Sequence, residues 1–200
     1  MERIREQVKL GAMLEPEARL LQALIQVTLP ETIVEFGYHG GYSSGKMLEA
    51  LDYPAMIYSY DVKRPSPALI RSDKRLKIHW KDMKTFSSED VDGREVDLVF
   101  FDASHDYEDN MVAWKALEPC LADDAYLVIH DTGYWITENF DYPLGEDEDG
   151  KRYHCPDERR WVTWLEGEGW NAVTFFTDKR VRHGITVLQR KKWTLPGREA

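Results

Sequence analysis

The sequence predicts an α/β domain built on a doubly wound, mostly parallel seven-stranded sheet, with an antiparallel last strand and helices on both faces. Three observations predict it. Short β-branched and aromatic runs alternate with stretches of helical periodicity, the pattern of a parallel sheet wrapped by helices. Glycines follow the first run at once. Four runs then end at or near an acidic residue: Glu35, Asp61, Asp102 and Asp131. Two hundred residues fit one domain with a sizeable core, so 1–200 reads as a single unit with residues 1–30 as its N-terminal helical segment.

Taken in order, the first helix begins near Pro16, a favoured first-turn residue, and runs to about Leu29 with Leu20, Leu21, Leu24 and Ile25 on one face. Thr32–Phe36 is a buried strand ended by Gly37, and a helix from about Ser43 to Leu51 follows. Ala55–Tyr60 is the second strand, ended by Asp61; Leu76–Trp80 is the third. Val96–Phe101 is the clearest strand, ended by Asp102. After it, Tyr107, Met111, Trp114, Leu117 and Leu121 recur at three- and four-residue steps, so a helix packs back on the sheet. Ala125–Ile129 leads to His130 and Asp131. Residues 133–155 read as irregular, with Glu146–Asp149 near a loop tip. A helix near Asp157–Glu166 and two strands, about Trp170–Phe176 and His183–Gln189, close the chain; their short connection makes them antiparallel.

Composition narrows the function. The formal net charge is −10, which weighs against nucleic acid as the main partner because phosphate binding draws on Lys and Arg. The basic stretches Lys74–Lys84 and Lys179–Lys192 read either as local grooves or as solvated faces. No apolar run approaches the roughly 20 residues that span a bilayer, and Met1–Leu10 lacks a signal-peptide core, so a cytoplasmic protein with no membrane partner is the expectation. The two cysteines, Cys120 and Cys155, have neither zinc-site nor disulfide-framework spacing, and Cys120 reads as a small hydrophobe within a helix.

The most informative stretch is Val34-Glu35-Phe36-Gly37-Tyr38-His39-Gly40-Gly41-Tyr42-Ser43. Glycines here permit a tight turn and close approach of a ligand to the backbone. The dinucleotide pattern GxGxxG cannot be laid over Gly37, Gly40 and Gly41. Instead, Glu-x-Gly-x-x-x-Gly-x-Ser resembles the first motif of class I S-adenosylmethionine-dependent methyltransferases of Rossmann-like fold, particularly small O-methyltransferases of the catechol and caffeoyl-coenzyme A type. The resemblance implies a loop around the methionine part of the cofactor, so Glu35, Gly37, Tyr38, Gly41 and Ser43 are expected at the cofactor. Asp61 stands at the spacing where such folds hold the ribose hydroxyls with a carboxylate; the bland alternative is a strand-end cap. Asp82, with Met83 after it, resembles the family's acidic residue beside the adenine, although Lys81 replaces the usual Gly before it.

A third constellation joins Phe101-Asp102-Ala103-Ser104-His105-Asp106-Tyr107 to Leu127-Val128-Ile129-His130-Asp131-Thr132. These strand ends should be neighbours, so Asp102 and Asp131 could meet at a hard divalent cation. Metal-dependent members of the resembled family hold magnesium with an Asp after the fourth strand and an acidic pair or Asp-Asn after the fifth. Here the second pair is His130-Asp131 or Asp131-Thr132, and neither matches that pattern fully. Asp102, His130 and Asp131 are the expected ligands of Mg2+ or another divalent cation, with Asp102 also near the cofactor. The segment looks closer to the bacterial branch containing macrocin-type and cephalosporin-biosynthetic methyltransferases. His105 occupies the position of a lysine thought to deprotonate the acceptor, and a ring of ordinary pKa about 6.5 suits that work. Alternatively, His105 caps the helix beginning near Tyr107. His39 and His79 read as structural or surface residues, and Trp114 as core. Trp135, Trp161 and Trp164 read as core, interface or walls for a flat acceptor.

The expected function is therefore methyl transfer from S-adenosylmethionine to a small hydroxylated acceptor, with residues 133–160 as the substrate-side insertion and a homodimer compatible with the family. Rival readings are N- or C-methylation without metal, a non-catalytic cofactor-binding protein, and an NAD-dependent oxidoreductase, which shares the sheet but expects another glycine fingerprint.

Overall fold

The computed structural model describes residues 13–133, 145–146, 152–153, 156–175 and 184–190. Helix α1 (Glu15–Thr28) carries Pro16 in its first turn and ends at Leu29, which adopts a left-handed conformation. Strand β1 (Thr32–Phe36) is buried at every residue, as expected where helices cover both faces of a parallel sheet. Helix α2 (Tyr42–Ala50), β2 (Met56–Tyr60), β3 (Leu76–His79), β4 (Val96–Phe101), helix α3 (Tyr107–Leu117) and β5 (Leu121–His130) follow. Helix α4 (Pro156–Gly167), β6 (Trp170–Phe175) and β7 (Ile185–Arg190) complete the described chain. The short segments Gly145–Glu146 and Arg152–Tyr153 pair antiparallel with each other.

In these labels the sheet runs β3-β2-β1-β4-β5-β7-β6, with β7 antiparallel to both neighbours and the other six strands parallel. Side-chain alternation divides the core. Val34, Phe36, Tyr58, Val99 and Leu127 pack toward Trp114 and Leu117 of α3 and Trp161 and Leu165 of α4. Ile33, Ile57, Leu98 and Val128 pack toward Leu21 and Ile25 of α1 and Met47 of α2. Trp161 therefore belongs to the core, and Trp164 is partly buried against it. Trp135 and Cys155 lie outside the described residues, as do Asp147–Asp149 of the acidic run.

One boundary differs from expectation. Helix α3 stops at Leu117, and Glu118–Cys120 form a separate 3-10 turn around Pro119, so Cys120 closes a tighter helical turn beyond the α-helix. Proline cannot continue the hydrogen-bonded helix. Leu121 then starts β5 four residues earlier than the apolar run suggested, pairing with Val96 before a register shift. Among the described residues no helix is long and apolar enough to cross a membrane.

The strand order reverses between β1 and β4. In open α/β sheets the crevice outside the carboxyl ends at that switch point is where ligands bind.

Candidate active site

Gly37 sits directly at the switch. Its φ is +108°, and a Cβ there would lie 2.1 Å from the carbonyl oxygen of Asp102. Only glycine allows the two strand ends to approach this closely. Gly37 and Tyr38 both donate their N–H groups to the Tyr60 carbonyl, at 2.9 and 3.0 Å, while Asp102 N–H donates to Phe36 O at 2.8 Å. His39 N–H donates to Asp61 Oδ2 at 2.6 Å, and Lys63 N–H to Asp61 Oδ1 at 2.7 Å. The carboxylate of Asp61 is thereby aimed by main chain on both sides of it. A cavity of about 390 Å³ opens here, lined among others by Gly37, Asp61, Asp82, Met83, Asp102 and Ser104. His39 is exposed and contributes to the same lining, so it stands closer to the site than a surface reading suggests.

Of the loop residues expected at the cofactor, Glu35, Tyr38, Gly41 and Ser43 do not line this cavity. Glu35 is fully buried, and its carboxylate accepts from the hydroxyls of Ser43, Ser44 and Ser59, the last at 2.5 Å. Burial pushes this carboxyl up, against the pull of the three donated hydroxyl bonds. Glu35 thus ties β1 to β2 and to the first turn of α2. Tyr38 is buried with its hydroxyl donating to Leu69 O at 2.9 Å and accepting from Arg71 N–H at 2.9 Å. Gly41 takes the left-handed conformation before α2, where a Cβ would strike the Tyr38 ring. These residues shape the loop from underneath. Asp82 caps the short turn Met83–Thr85 through a bond from Lys84 N–H at 2.9 Å, while still facing the cavity.

Across the switch the rim is built from charged side chains. Asp102, His130 and Asp131 each offer a ligand atom, and these atoms lie within 4.8 Å of one another. His130 is 2% exposed, with Nδ1 at 3.2 Å from Asp102 Oδ1 and 3.5 Å from Asp131 Oδ1, and Nε2 at 3.0 Å from Glu17 Oε2. Burial works against a charged ring there, but Asp102, Asp131 and Glu17 outweigh it and hold the pKa well above the ordinary value. Thr132 Oγ1 accepts from the Thr186 hydroxyl at 2.7 Å, so it is engaged with β7.

His105 completes this side. Its Nδ1 lies 2.5 Å from Glu158 Oε1 and its Nε2 3.8 Å from Asp131 Oδ2. The bond to Glu158 is the chief reason its pKa is pushed up to about 9. His105 does not cap α3. That role belongs to Asp106, which accepts from Asp109 N–H at 2.9 Å. Glu158 is 3% exposed, and burial pushes its carboxyl up while His105 pulls it down. His79 stacks on Tyr60 away from this cluster, its ring centroid at 4.9 Å.

Sequence reasoning missed Glu17 and Glu158. Each sits in the first turn of a helix, where an acid ordinarily reads as a solvated partner of the helix dipole. The overlooked signal is phase: Glu17 precedes the buried Leu21 and Ile25 by four and eight residues, and Glu158 precedes the buried Trp161, Val162 and Leu165 by three, four and seven.

A family model described as a methyltransferase domain matches residues 34–132, the span from the glycine loop to the β5 rim. The chain carries a class I S-adenosylmethionine-dependent methyltransferase domain. Solved structures agree on the fold of this methyltransferase. The tomaymycin-synthesis O-methyltransferase TomG of Streptomyces achromogenes, solved with S-adenosylmethionine, is 21% identical with a TM-score of 0.65, over 90% of this chain and 81% of its own. An O-methyltransferase of Bacillus cereus, solved with S-adenosylhomocysteine, is 14% identical with a TM-score of 0.66, over 94% and 88%. The 1,6-didemethyltoxoflavin-N1-methyltransferase of Burkholderia thailandensis is 13% identical with a TM-score of 0.59, over 86% and 77%. No curated protein matches the sequence. The methyltransferase thus shares its fold with enzymes of both oxygen and nitrogen acceptors.

Proposed function

We propose that this methyltransferase transfers the methyl group of S-adenosylmethionine to a hydroxyl of a small molecule, with His105 as general base and a divalent cation at Asp102, His130 and Asp131. One observation carries the reading. The cavity at the switch point is walled by Gly37, Asp61, Asp82 and Met83 on one side and by Asp102 on the other, and Asp102 also belongs to the charged cluster that includes His130 and Asp131. In this reading the cofactor lies against the Gly37 backbone, Asp61 accepts from its ribose hydroxyls, and Asp82 and Met83 flank the adenine.

The sulfonium is already a good electrophile, so the protein's work is alignment and proton removal. The new O–C bond forms as the C–S bond breaks, the electron pair stays on sulfur, and S-adenosylhomocysteine is the co-product. The acceptor's proton passes to His105 Nε2 once the ring has lost its own; with the ring's pKa pushed up to about 9, turnover should rise with pH toward that value. Glu158 holds the other nitrogen as N–H donor and so fixes both the ring's tautomer and its direction. The donor set fits a cation in its chemistry: two carboxylates and one imidazole offer ligand atoms within 4.8 Å of one another, with His130 Nδ1 at 3.2 and 3.5 Å from the carboxylates of Asp102 and Asp131. When bound, such an ion lowers the pKa of an acceptor hydroxyl and orients it.

His105→Ala is expected to slow turnover by about a hundredfold or more while S-adenosylhomocysteine affinity stays nearly intact. The acceptor would come from a panel of catechols and other vicinal hydroxyl compounds, with the methylated atom identified by mass spectrometry and NMR. Unchanged turnover in the variant removes the base from the mechanism. Methylated nitrogen in the product transfers the chemistry to the other branch.

A further inference from the structure

His130 is held from behind by the buried Glu17 of α1. Glu17 Oε2 accepts from Leu14 N–H at 2.9 Å and lies 3.0 Å from His130 Nε2, while Oε1 accepts from Gly184 N–H at 2.9 Å. The carboxylate is thus clamped by main chain entering α1 and main chain entering β7, and the ring it faces has little freedom to turn. With Nε2 committed to Glu17, Nδ1 is the nitrogen presented to Asp102 and Asp131. A histidine whose far N–H is received by a carboxylate is the usual arrangement behind a metal-ligating imidazole, because that bond sets the tautomer and raises the basicity of the ligating nitrogen.

The donor set also bears on which ion would fit. Magnesium favours an all-oxygen, near-octahedral shell and gives up water reluctantly. Imidazole nitrogen suits iron, nickel, copper and zinc better, whereas manganese stands nearer magnesium in its preference for oxygen and so is the strictest probe of what the imidazole adds. A site of two carboxylates and one buried imidazole with no room to swing aside therefore leans away from magnesium.

We infer that Glu17 is a positioning residue for His130, and that together they make the Asp102–His130–Asp131 cluster selective for a divalent transition-metal ion over magnesium. The inference rests on the proposal above that an ion sits at this cluster, and it adds the class of ion and the residue that enforces it. It also makes docking of α1 a condition of metal binding, since Glu17 reaches the site only from that helix.

The test is Mn2+ titration of the full chain after chelator dialysis, read by the electron paramagnetic resonance signal of free Mn2+, with Mg2+ as competitor. The wild-type chain is expected to bind Mn2+ and to retain most of it at a tenfold excess of Mg2+. Glu17→Gln should weaken Mn2+ binding by about 10–100-fold without changing S-adenosylhomocysteine affinity. Should Glu17→Gln fail to fold, His130→Asp supplies an oxygen donor at the same place and should let Mg2+ compete at comparable concentration. Undiminished Mn2+ affinity in a folded Glu17→Gln chain overturns the positioning role. Displacement by equimolar Mg2+ in the wild type, or an unchanged preference in His130→Asp, overturns the selectivity. Either result leaves the metal-assisted reading standing, whereas a wild-type chain that binds no Mn2+ ends both.

Discussion

The two sides of the rim are made of different materials. On the β1–β2 side, main chain sets the geometry of the cavity wall: the turn at Gly37 and the N–H groups that aim Asp61, with a buried Glu35 accepting from three serine hydroxyls to hold the loop. On the β4–β5 side the rim is ionisable side chains: Asp102 faces the cavity, and His130, Asp131 and His105 cluster beside it, held in place by Glu17 and Glu158 from helices distant in sequence. A main-chain wall suits a constant ligand whose shape never changes. A side-chain wall can be retuned residue by residue. The division matches a cofactor half and a chemistry half in the proposed reaction.

The comparison breaks most visibly at Gly37. Alanine there would place a methyl group against the Asp102 carbonyl in a backbone region that L residues avoid, so both halves of the rim must move apart. Gly37→Ala is expected to cost about 3 kcal/mol or more of stability. Isothermal titration should show S-adenosylhomocysteine affinity falling by about a hundredfold, a loss of about 2.7 kcal/mol from the displaced wall. A folded variant with wild-type affinity would mean that the turn is not the cofactor's wall.

This contrast also explains what was legible in the sequence. The β1–β2 half announces itself locally, because a strained turn demands glycine and a strand end needs few neighbours to place its carboxylate. The succession of strands and helices, the helix faces and the gathering of Asp61, Asp102 and Asp131 on one edge follow from short apolar runs alternating with stretches of period 3.6, whereas the order of strands across the sheet does not. What each loop residue does was less legible: Glu35, Tyr38, Gly41 and Ser43 share the motif but do not line the cavity. The β4–β5 half depends on tertiary partners that no spacing announces. Glu17 meets His130 across 113 residues and Glu158 meets His105 across 53. Only an acid in phase with an apolar helical stripe hinted at either, and that signal is faint beside the dipole explanation of first-turn acids.

A smaller effect sharpens the chemistry half. Glu158→Gln removes the carboxylate that raises the His105 pKa, so the ring should titrate closer to 6.5 than to about 9, as followed by nitrogen-15 NMR of the imidazole. The sign for stability follows from the same shift. In the wild type the ring's attraction is fully present below about 6.5 and is lost as pH rises through about 9, so the variant's stability should depend less on pH in that window. The side chain is half exposed, which keeps this contribution small. An unmoved His105 titration would show that Asp102 and Asp131, not Glu158, govern the ring.

The smallest effect tests whether the rim is special at all, and it lies at the opposite edge of the sheet. Asp97 Oδ2 accepts from Glu31 N–H and Thr32 N–H, both at 2.9 Å, pinning the start of β1 as Asp61 pins its end. Asp97→Ala should therefore cost about 1 kcal/mol in denaturant unfolding, as a partly solvated pair of hydrogen bonds is lost. It should leave S-adenosylhomocysteine binding unchanged, because a rigid five-residue strand packed on both faces does not pass a loosened amino end through to its carboxyl end. A loss of affinity alongside the loss of stability would show that β1 transmits slack along its length. The two edges of the sheet would then be one mechanical unit, and the main-chain wall would owe its geometry to the whole strand and not to the turn at Gly37.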